Sequence, residues 1–259
     1  MRYKQLCEYI KQFRSIGLTT GSIGCSVMGR ELYFVKVGNG GRNIIIQASI
    51  HAREYCTTTI AIKQIEHLIN YNLGEYTLYF IPMLNPDGVE MCHDSVDFNN
   101  LKANANFVDL NTNFDAHWGQ GAQNQQKAGL ANYIGKYPHD QPETESIVQF
   151  TKKLSPVSTM SYHSRGRELY WDFFAPYFDM RRDKEIALVL ASYLQYKVVS
   201  SQNSSAGGYK DWCIQQFKIP SFTVEFMPEF YSYPIPQEAV LQEFNLSKNL
   251  PLILINCLS

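Results

Sequence analysis

The amino-acid sequence predicts an α/β domain, a mixed sheet with helices on both faces. Three observations carry this expectation. Apolar, β-branched runs such as Asn43–Ile50 read as buried strands. Segments with apolar residues at helical spacing lie between such runs. Strong turn signals, above all Asn85-Pro86-Asp87-Gly88, mark the changes from one to the other. Strands alternating with helices indicate helices packed on a sheet. At 259 residues, 45% hydrophobic and 18% charged, the chain can bury one large core. No internal repeat or linker divides it, so a single domain over 1–259 is the simplest account.

In chain order, Leu6, Tyr9, Ile10 and Phe13 fall at helical spacing and open the chain with a helix. Ser22–Met28 and Glu31–Val37 read as strands around a Gly29-Arg30 turn, and Asn43–Ile50 as the buried strand that leads to His51. A helix follows over Cys56–Ile69, then a strand over Tyr76–Leu84 stopped by the Asn85–Gly88 turn. Glu90–Gly135 is rich in Asn, Gln and Gly and weakly periodic, which reads as long ordered loops of the kind that carry function. Beyond it the pattern predicts a helix at Glu143–Leu154 and strands at Ser158–His163 and Glu168–Trp171. A helix at Lys184–Tyr196, a strand at Lys197–Ser201, a short helix at Tyr209–Phe217 and a strand at Ser221–Phe226 complete the series before a helical C-terminal part.

Composition excludes some partners. A net charge of −1 with no block of like charges gives no pull toward nucleic acid or an anionic membrane. No apolar stretch is long enough to span a bilayer, so no membrane insertion is expected. The N-terminal MRYKQLCEYIKQF lacks the apolar region of a secretory signal, and the expected location is cytoplasmic. The six cysteines are scattered, with no C-x-x-C pair, which leaves a zinc ribbon or a dithiol redox site without support.

His51-Ala52-Arg53-Glu54 sits where a buried strand gives way to a helix. Ligands of open α/β sheets bind at the carboxyl ends of strands, and a His and a Glu three residues apart can reach one metal ion. A third ligand from elsewhere would complete the two-His, one-Glu set of a catalytic zinc site with an open fourth position. On its own the H-x-x-E pattern equally describes a surface-turn histidine beside a solvated glutamate. His163, ending the strand Ser158–His163, is the best candidate for the third ligand, although a strand-end histidine is often structural. Glu225 lies in the otherwise apolar strand Ser221–Phe226, where an unpaired charge would be costly to bury unless it works there or points to water.

The order HARE, NPDG, VDLNTNF, SYHS, AGGYKDW and SFTVEF resembles the zinc carboxypeptidases A and B from about Arg30 to Phe226. The resemblance implies a mixed, mostly eight-stranded sheet and one zinc ion held by His51, Glu54 and His163. It also implies that Glu225 is the catalytic glutamate and that Asp109 hydrogen-bonds the first zinc histidine and orients it. Lys102, in Leu101-Lys102-Ala103-Asn104, aligns with the arginine that stabilises the oxyanion in those enzymes.

Departures from the family bear on the substrate. The family's Asn-Arg grip on a C-terminal carboxylate becomes Asn111 and Thr112, so the bidentate arginine is lost. The family's mobile-loop tyrosine aligns with Asn203, and Tyr209 is a partial substitute for it. At the base of the specificity pocket stands Lys210, with Arg53 and Arg165 as further cations beside the proposed metal site. Such a set suggests an anionic substrate, a peptide or muropeptide with carboxylate-rich ends. HSRGRELYW and GGYKDW look like the bacterial branch that cleaves γ-D-glutamyl–meso-diaminopimelate bonds of peptidoglycan stem peptides. That branch is the leading expectation. A peptidase for C-terminal acidic residues and a non-catalytic peptidoglycan-binding module are the alternatives.

Overall fold

A computed structural model describes residues 1–174, 177–200 and 206–259. Among them, eight strands join into one mixed sheet: β1 (Thr20–Cys25), β2 (Glu31–Val37), β3 (Arg42–Ala48), β4 (Tyr76–Ile81), β5 (Ser158–Ser164), β6 (Glu168–Tyr170), β7 (Lys197–Val199) and β8 (Ser221–Phe226). Their order across the sheet is β1-β2-β4-β3-β5-β8-β6-β7. β3 runs parallel to β4 and to β5, and β5 runs parallel to β8. The carboxyl ends of β3, β5 and β8 therefore share one edge, the edge at which open α/β sheets bind ligands.

Side-chain alternation sends each central strand into two cores. Ile44, Ile46 and Ala48 of β3 and Phe222, Val224 and Phe226 of β8 enter one cluster. The helices α1 (Tyr3–Ser15), α2 (Cys56–Leu68), α7 (Gln237–Ser247) and α8 (Leu250–Leu258) contribute Leu6, Ile60, Val240 and Leu254 to it, joined by Leu190 of α5 (Tyr177–Leu194). Ile45 faces the other way, toward a second core with Ile147 of α4 (Pro142–Leu154) and Trp212 of α6 (Tyr209–Phe217). The expected eight-stranded mixed sheet with helices on both faces is thus the fold.

Several boundaries differ from the sequence expectations, and the largest difference is informative. Asn85–Gly88 is not a turn that stops a strand and leads into loops. It starts helix α3 (Pro86–Asp94), with the Asn85 side chain accepting from Gly88 N at 3.1 Å and Pro86 in the first turn. Asn-Pro serves equally as a turn and as a helix N-cap followed by Pro. Asn85 Nδ2 also donates to Ile50 O and Ala103 O, both at 3.1 Å, fastening the loop that carries His51. β1 ends at Cys25 rather than Met28 because the chain closes a turn there, Gly29 N donating to Ser26 O. β3 ends at Ala48, two residues earlier than Ile50, because Ser49 takes a left-handed φ of 50°. Helix α5 starts at Tyr177, ahead of the expected Lys184. No helix among the described residues is long and apolar enough to cross a membrane.

Candidate metal centre and active site

The turn after β3 is built by hydroxyl groups. Thr57 Oγ1 accepts from Ser49 N at 3.0 Å and donates to Glu54 O at 2.8 Å, while Ser49 Oγ pairs with Thr58 Oγ1 at 2.8 Å. This folds Ala52–Glu54 into a single 3-10 turn and brings Glu54 back toward His51. His163 comes to the same point from the end of β5, and Ser164 N donates to Glu54 Oε2 at 3.2 Å.

The three side chains are buried and their ligand atoms lie within 4.8 Å of one another. His51 Nδ1 is 2.9 Å from Glu54 Oε1, His163 Nδ1 is 3.1 Å from Glu54 Oε2, and the two Nδ1 atoms are 3.2 Å apart. Tetrahedral zinc with bonds of about 2.0–2.2 Å places its ligand atoms roughly 3.3 Å apart. Two imidazole lone pairs at this distance repel unless a proton or a metal ion lies between them. A metal ion satisfies both nitrogens and the carboxylate together. The donor set therefore fits zinc.

Asp109 lies behind this group, where the resemblance expected it. Its Oδ1 is 3.3 Å from His51 Nε2 and accepts from Asn111 N at 3.1 Å, while Oδ2 accepts from Asn132 N at 3.0 Å. Burial alone would raise the Asp109 carboxyl, but His51, then Lys102 and the Asn132 N–H, hold it well below the usual range. Burial likewise opposes a charged His51, yet the Glu54 and Asp109 carboxylates raise it to about 9. Glu54 is held low by the two histidines against the cost of its own burial. The cluster is electrically a cradle for a cation.

Glu225 stands beside it. Residues of β8 alternate, so Val224 and Phe226 enter the core while Glu225 shares the other face with His163, its register partner on β5. Glu225 makes no hydrogen bond among the described residues, leaving its carboxylate free to exchange a proton. Burial, then the Glu54 carboxylate, raise Glu225 to about 8, with His51 and Lys102 acting in the opposite direction. Lys102 is close enough to influence His51, Asp109, His163 and Glu225, and it makes no ion pair among the described residues.

The proposed substrate contacts divide. Asn111 Oδ1 accepts from Tyr209 N at 3.1 Å, which ties that loop to the start of α6. Tyr209 itself is a correction: its ring is fully buried against Phe114 and Trp212 and its hydroxyl bonds Thr151 Oγ1 at 2.8 Å, so it cannot replace a substrate-facing tyrosine. The reason is helical phase, since the first residue of α6 faces the second core. Lys210 is also not a free cation. It is buried, with Nζ 2.5 Å from Asp211 Oδ1 and 2.6 Å from Asp172 O. Asn203 lies outside the described residues.

Arg53 and Arg165 meet at one aromatic ring. Both guanidinium groups lie over the ring of Tyr233, at 5.0 and 5.9 Å from its centre, and neither donates a hydrogen bond within the described residues. Nothing in the sequence singles out Tyr233. Its only signal is the aromatic run Phe230-Tyr231-Ser232-Tyr233 a few residues after Glu225.

Fold and donor set together define a metallopeptidase of the α/β kind. The zinc carboxypeptidase family profile matches residues 3–248, and the chain belongs to that family. It is 32% identical over 257 residues to γ-D-glutamyl-L-diamino acid endopeptidase 1 of Lysinibacillus sphaericus, a match covering 85% of this chain and 64% of that protein. Carboxypeptidase A1 of Sus scrofa is 26% identical over 251 residues, covering 85% and 60%. The chain thus spans about three fifths of the length of these relatives. Among solved structures, bovine thrombin-activatable fibrinolysis inhibitor in complex with tick carboxypeptidase inhibitor superposes with a TM-score of 0.85 at 19% identity, covering 98% of this chain and 94% of that one. A murein-tripeptide amidase from Escherichia coli O157 gives 0.63 at 22% identity, covering 88% and 91%. Both share the fold.

Proposed function

We propose that the chain is a zinc-dependent peptidase that hydrolyses the amide bond between γ-D-glutamate and meso-diaminopimelate in peptidoglycan stem peptides. The observation that carries the hydrolytic part is the convergence of His51, Glu54 and His163 on one point with the unbonded Glu225 carboxylate in register beside it. Zinc in that cradle supplies Lewis acidity to a substrate carbonyl and lowers the pKa of water. Glu225 takes the proton of the attacking water and hands it to the leaving nitrogen. Lys102 faces the developing oxyanion, Asp109 fixes the orientation of His51, and Asn111 lines the site.

The substrate part rests on charge. A γ-linked glutamate keeps its α-carboxylate free beside the scissile amide. Next to the metal ligands stand Arg53, whose Nε lies 3.9 Å from Glu54 Oε1, and Arg165, which makes no ion pair among the described residues, whereas Lys210 is already neutralised by Asp211. This favours a carboxylate near the reacting bond over one at the end of a terminal acidic side chain. The 32% identity to a γ-D-glutamyl-L-diamino acid endopeptidase points the same way.

Hydrolysis of L-Ala-γ-D-Glu-meso-diaminopimelate by zinc-loaded protein tests the proposal, beside a peptide ending in α-linked Glu. Release of diaminopimelate, absent in a Glu225→Gln control, supports it. Cleavage of only the α-linked peptide overturns the substrate and leaves a carboxypeptidase for acidic residues. Binding without turnover of either peptide would leave a peptidoglycan-binding module.

A further inference from the structure

Arg53 and Arg165 reach one aromatic ring from two separate loops. Arg53 lies between the ligands His51 and Glu54, its Nε 3.9 Å from Glu54 Oε1, and Arg165 lies two residues after His163. The ring they share is anchored to the metal site. Tyr233 OH donates to Ser164 O at 2.6 Å and lies 3.1 Å from Ser164 Oγ, while Ser164 N donates to Glu54 Oε2. Tyr233 is therefore fixed to the strand end that carries His163.

The arrangement is electrically incomplete. The Nε atoms of both arginines are buried and have no hydrogen-bond partner, and no carboxylate forms a hydrogen bond with either guanidinium among the described residues. Two like charges on one ring repel, and each orphaned buried donor carries an uncompensated desolvation cost. The cation–π contacts offset part of this. A planar anion between the guanidiniums would answer both, because the arginine fork matches a carboxylate.

The placement indicates which carboxylate this is. By the resemblance, the terminal carboxylate of the leaving residue falls to the wall containing Asn111, which is built from the 109–113 loop and the start of α6. The Arg53–Tyr233–Arg165 wall comes from the turn after β3 and the segments after β5 and β8, against the metal ligands. We propose that Arg53 and Arg165, held on the ring of Tyr233, clamp a free carboxylate on the residue that donates the scissile carbonyl, and that Tyr233 is the positioning residue for both. This rests on reading the site as a metal-dependent amide hydrolase and makes the α-carboxylate of a γ-linked glutamate a required feature of its substrate.

The test compares L-Ala-γ-D-Glu-meso-diaminopimelate with the same peptide carrying an α-carboxamide on the glutamate. Two readouts are used: kcat/KM of the zinc-loaded chain, and the Kd of zinc-loaded Glu225→Gln protein. The free carboxylate should be preferred by roughly 10- to 100-fold in both. Arg165→Gln and Tyr233→Leu should bring the ratio close to one, and Tyr233→Phe, which keeps the ring, should retain most of it. Equal handling of the two peptides by the unaltered chain would overturn the clamp while leaving the peptidase reading intact. Preferential binding of the carboxylate form without any turnover would do the reverse, keeping the clamp and removing the hydrolase. A preference that survives Tyr233→Leu would remove Tyr233 from the proposal.

Discussion

His163 and Glu225 are register partners in the parallel pairing of β5 with β8, so a buried metal-ligand candidate and an unbonded carboxylate sit side by side on one sheet face. Because strand pairing fixes the relation, Glu225 can be changed without moving His163. The variant Glu225→Gln should keep one zinc per chain, measured by atomic absorption, and lose at least ~100-fold in kcat through loss of the proton carrier. Loss of zinc in that variant would make Glu225 a ligand or a structural support instead.

Among the described residues, Asp109 reaches the metal-site donors through His51, at 3.3 Å from its Nε2. Asp109→Asn keeps the size of the side chain and removes the charge that orients the ring. Zinc affinity should fall by about 10- to 100-fold with the far-ultraviolet dichroism unchanged. Competition titration with a chromogenic chelator reads the affinity directly. An unaltered Kd would mean that the Asp109–His51 contact does not tune the site.

Much of the site was legible because its residues follow strand ends. His51 follows an apolar run, His163 lies at the end of the strand pattern Ser158–His163, Glu225 is the one charged residue of Ser221–Phe226, and the sheet brings those places to a common edge. Pairing between strands more than a hundred residues apart lies outside any local pattern, so the convergence itself came from motif order. Helix α3 was hidden because Asn85-Pro86 has the same chemistry in a turn as in a helix cap. Tyr209 and Lys210 were misplaced for a different reason. Sequence spacing locates a residue near the pocket but does not give the rotation of a short helix, which here turns Tyr209 into the core and pairs Lys210 with Asp211. Tyr233 was invisible, since its importance lies in what stacks on it.

The convergence of three buried donor side chains on one point predicts that metal stabilises the fold. Removing zinc with a chelator should lower Tm, since an ion present at ~1,000 times its Kd contributes about 4 kcal/mol, on the order of 10 °C for a chain of this size. Differential scanning calorimetry of chelated and zinc-loaded protein gives the difference. A His163→Ala variant should melt at the same temperature with and without zinc. Equal Tm values for both forms of the unaltered chain would argue against a high-affinity site.

Glu143, in the first turn of α4, predicts a pH dependence of stability away from the metal. Its carboxylate is fully buried, accepting from Val27 N at 3.2 Å and from Asn104 Nδ2 at 3.0 Å. Burial outweighs these hydrogen bonds and, with the nearby Asp87 charge adding to it, raises the carboxyl from 4.5 to about 7. A carboxyl that holds its proton more tightly when folded favours the native state below its unfolded pKa. That contribution is lost as pH rises from about 4.5 to about 7, by an amount on the order of 3 kcal/mol. Glu143→Gln cannot ionise, so its urea unfolding free energy should vary less over this interval, and the gap between variant and parent should shift in the variant's favour toward pH 8. Parallel pH profiles for the two proteins would show that the Glu143 carboxyl holds its proton no more tightly in the folded chain than in the unfolded one, with Asn104 and Val27 sufficient to offset its burial.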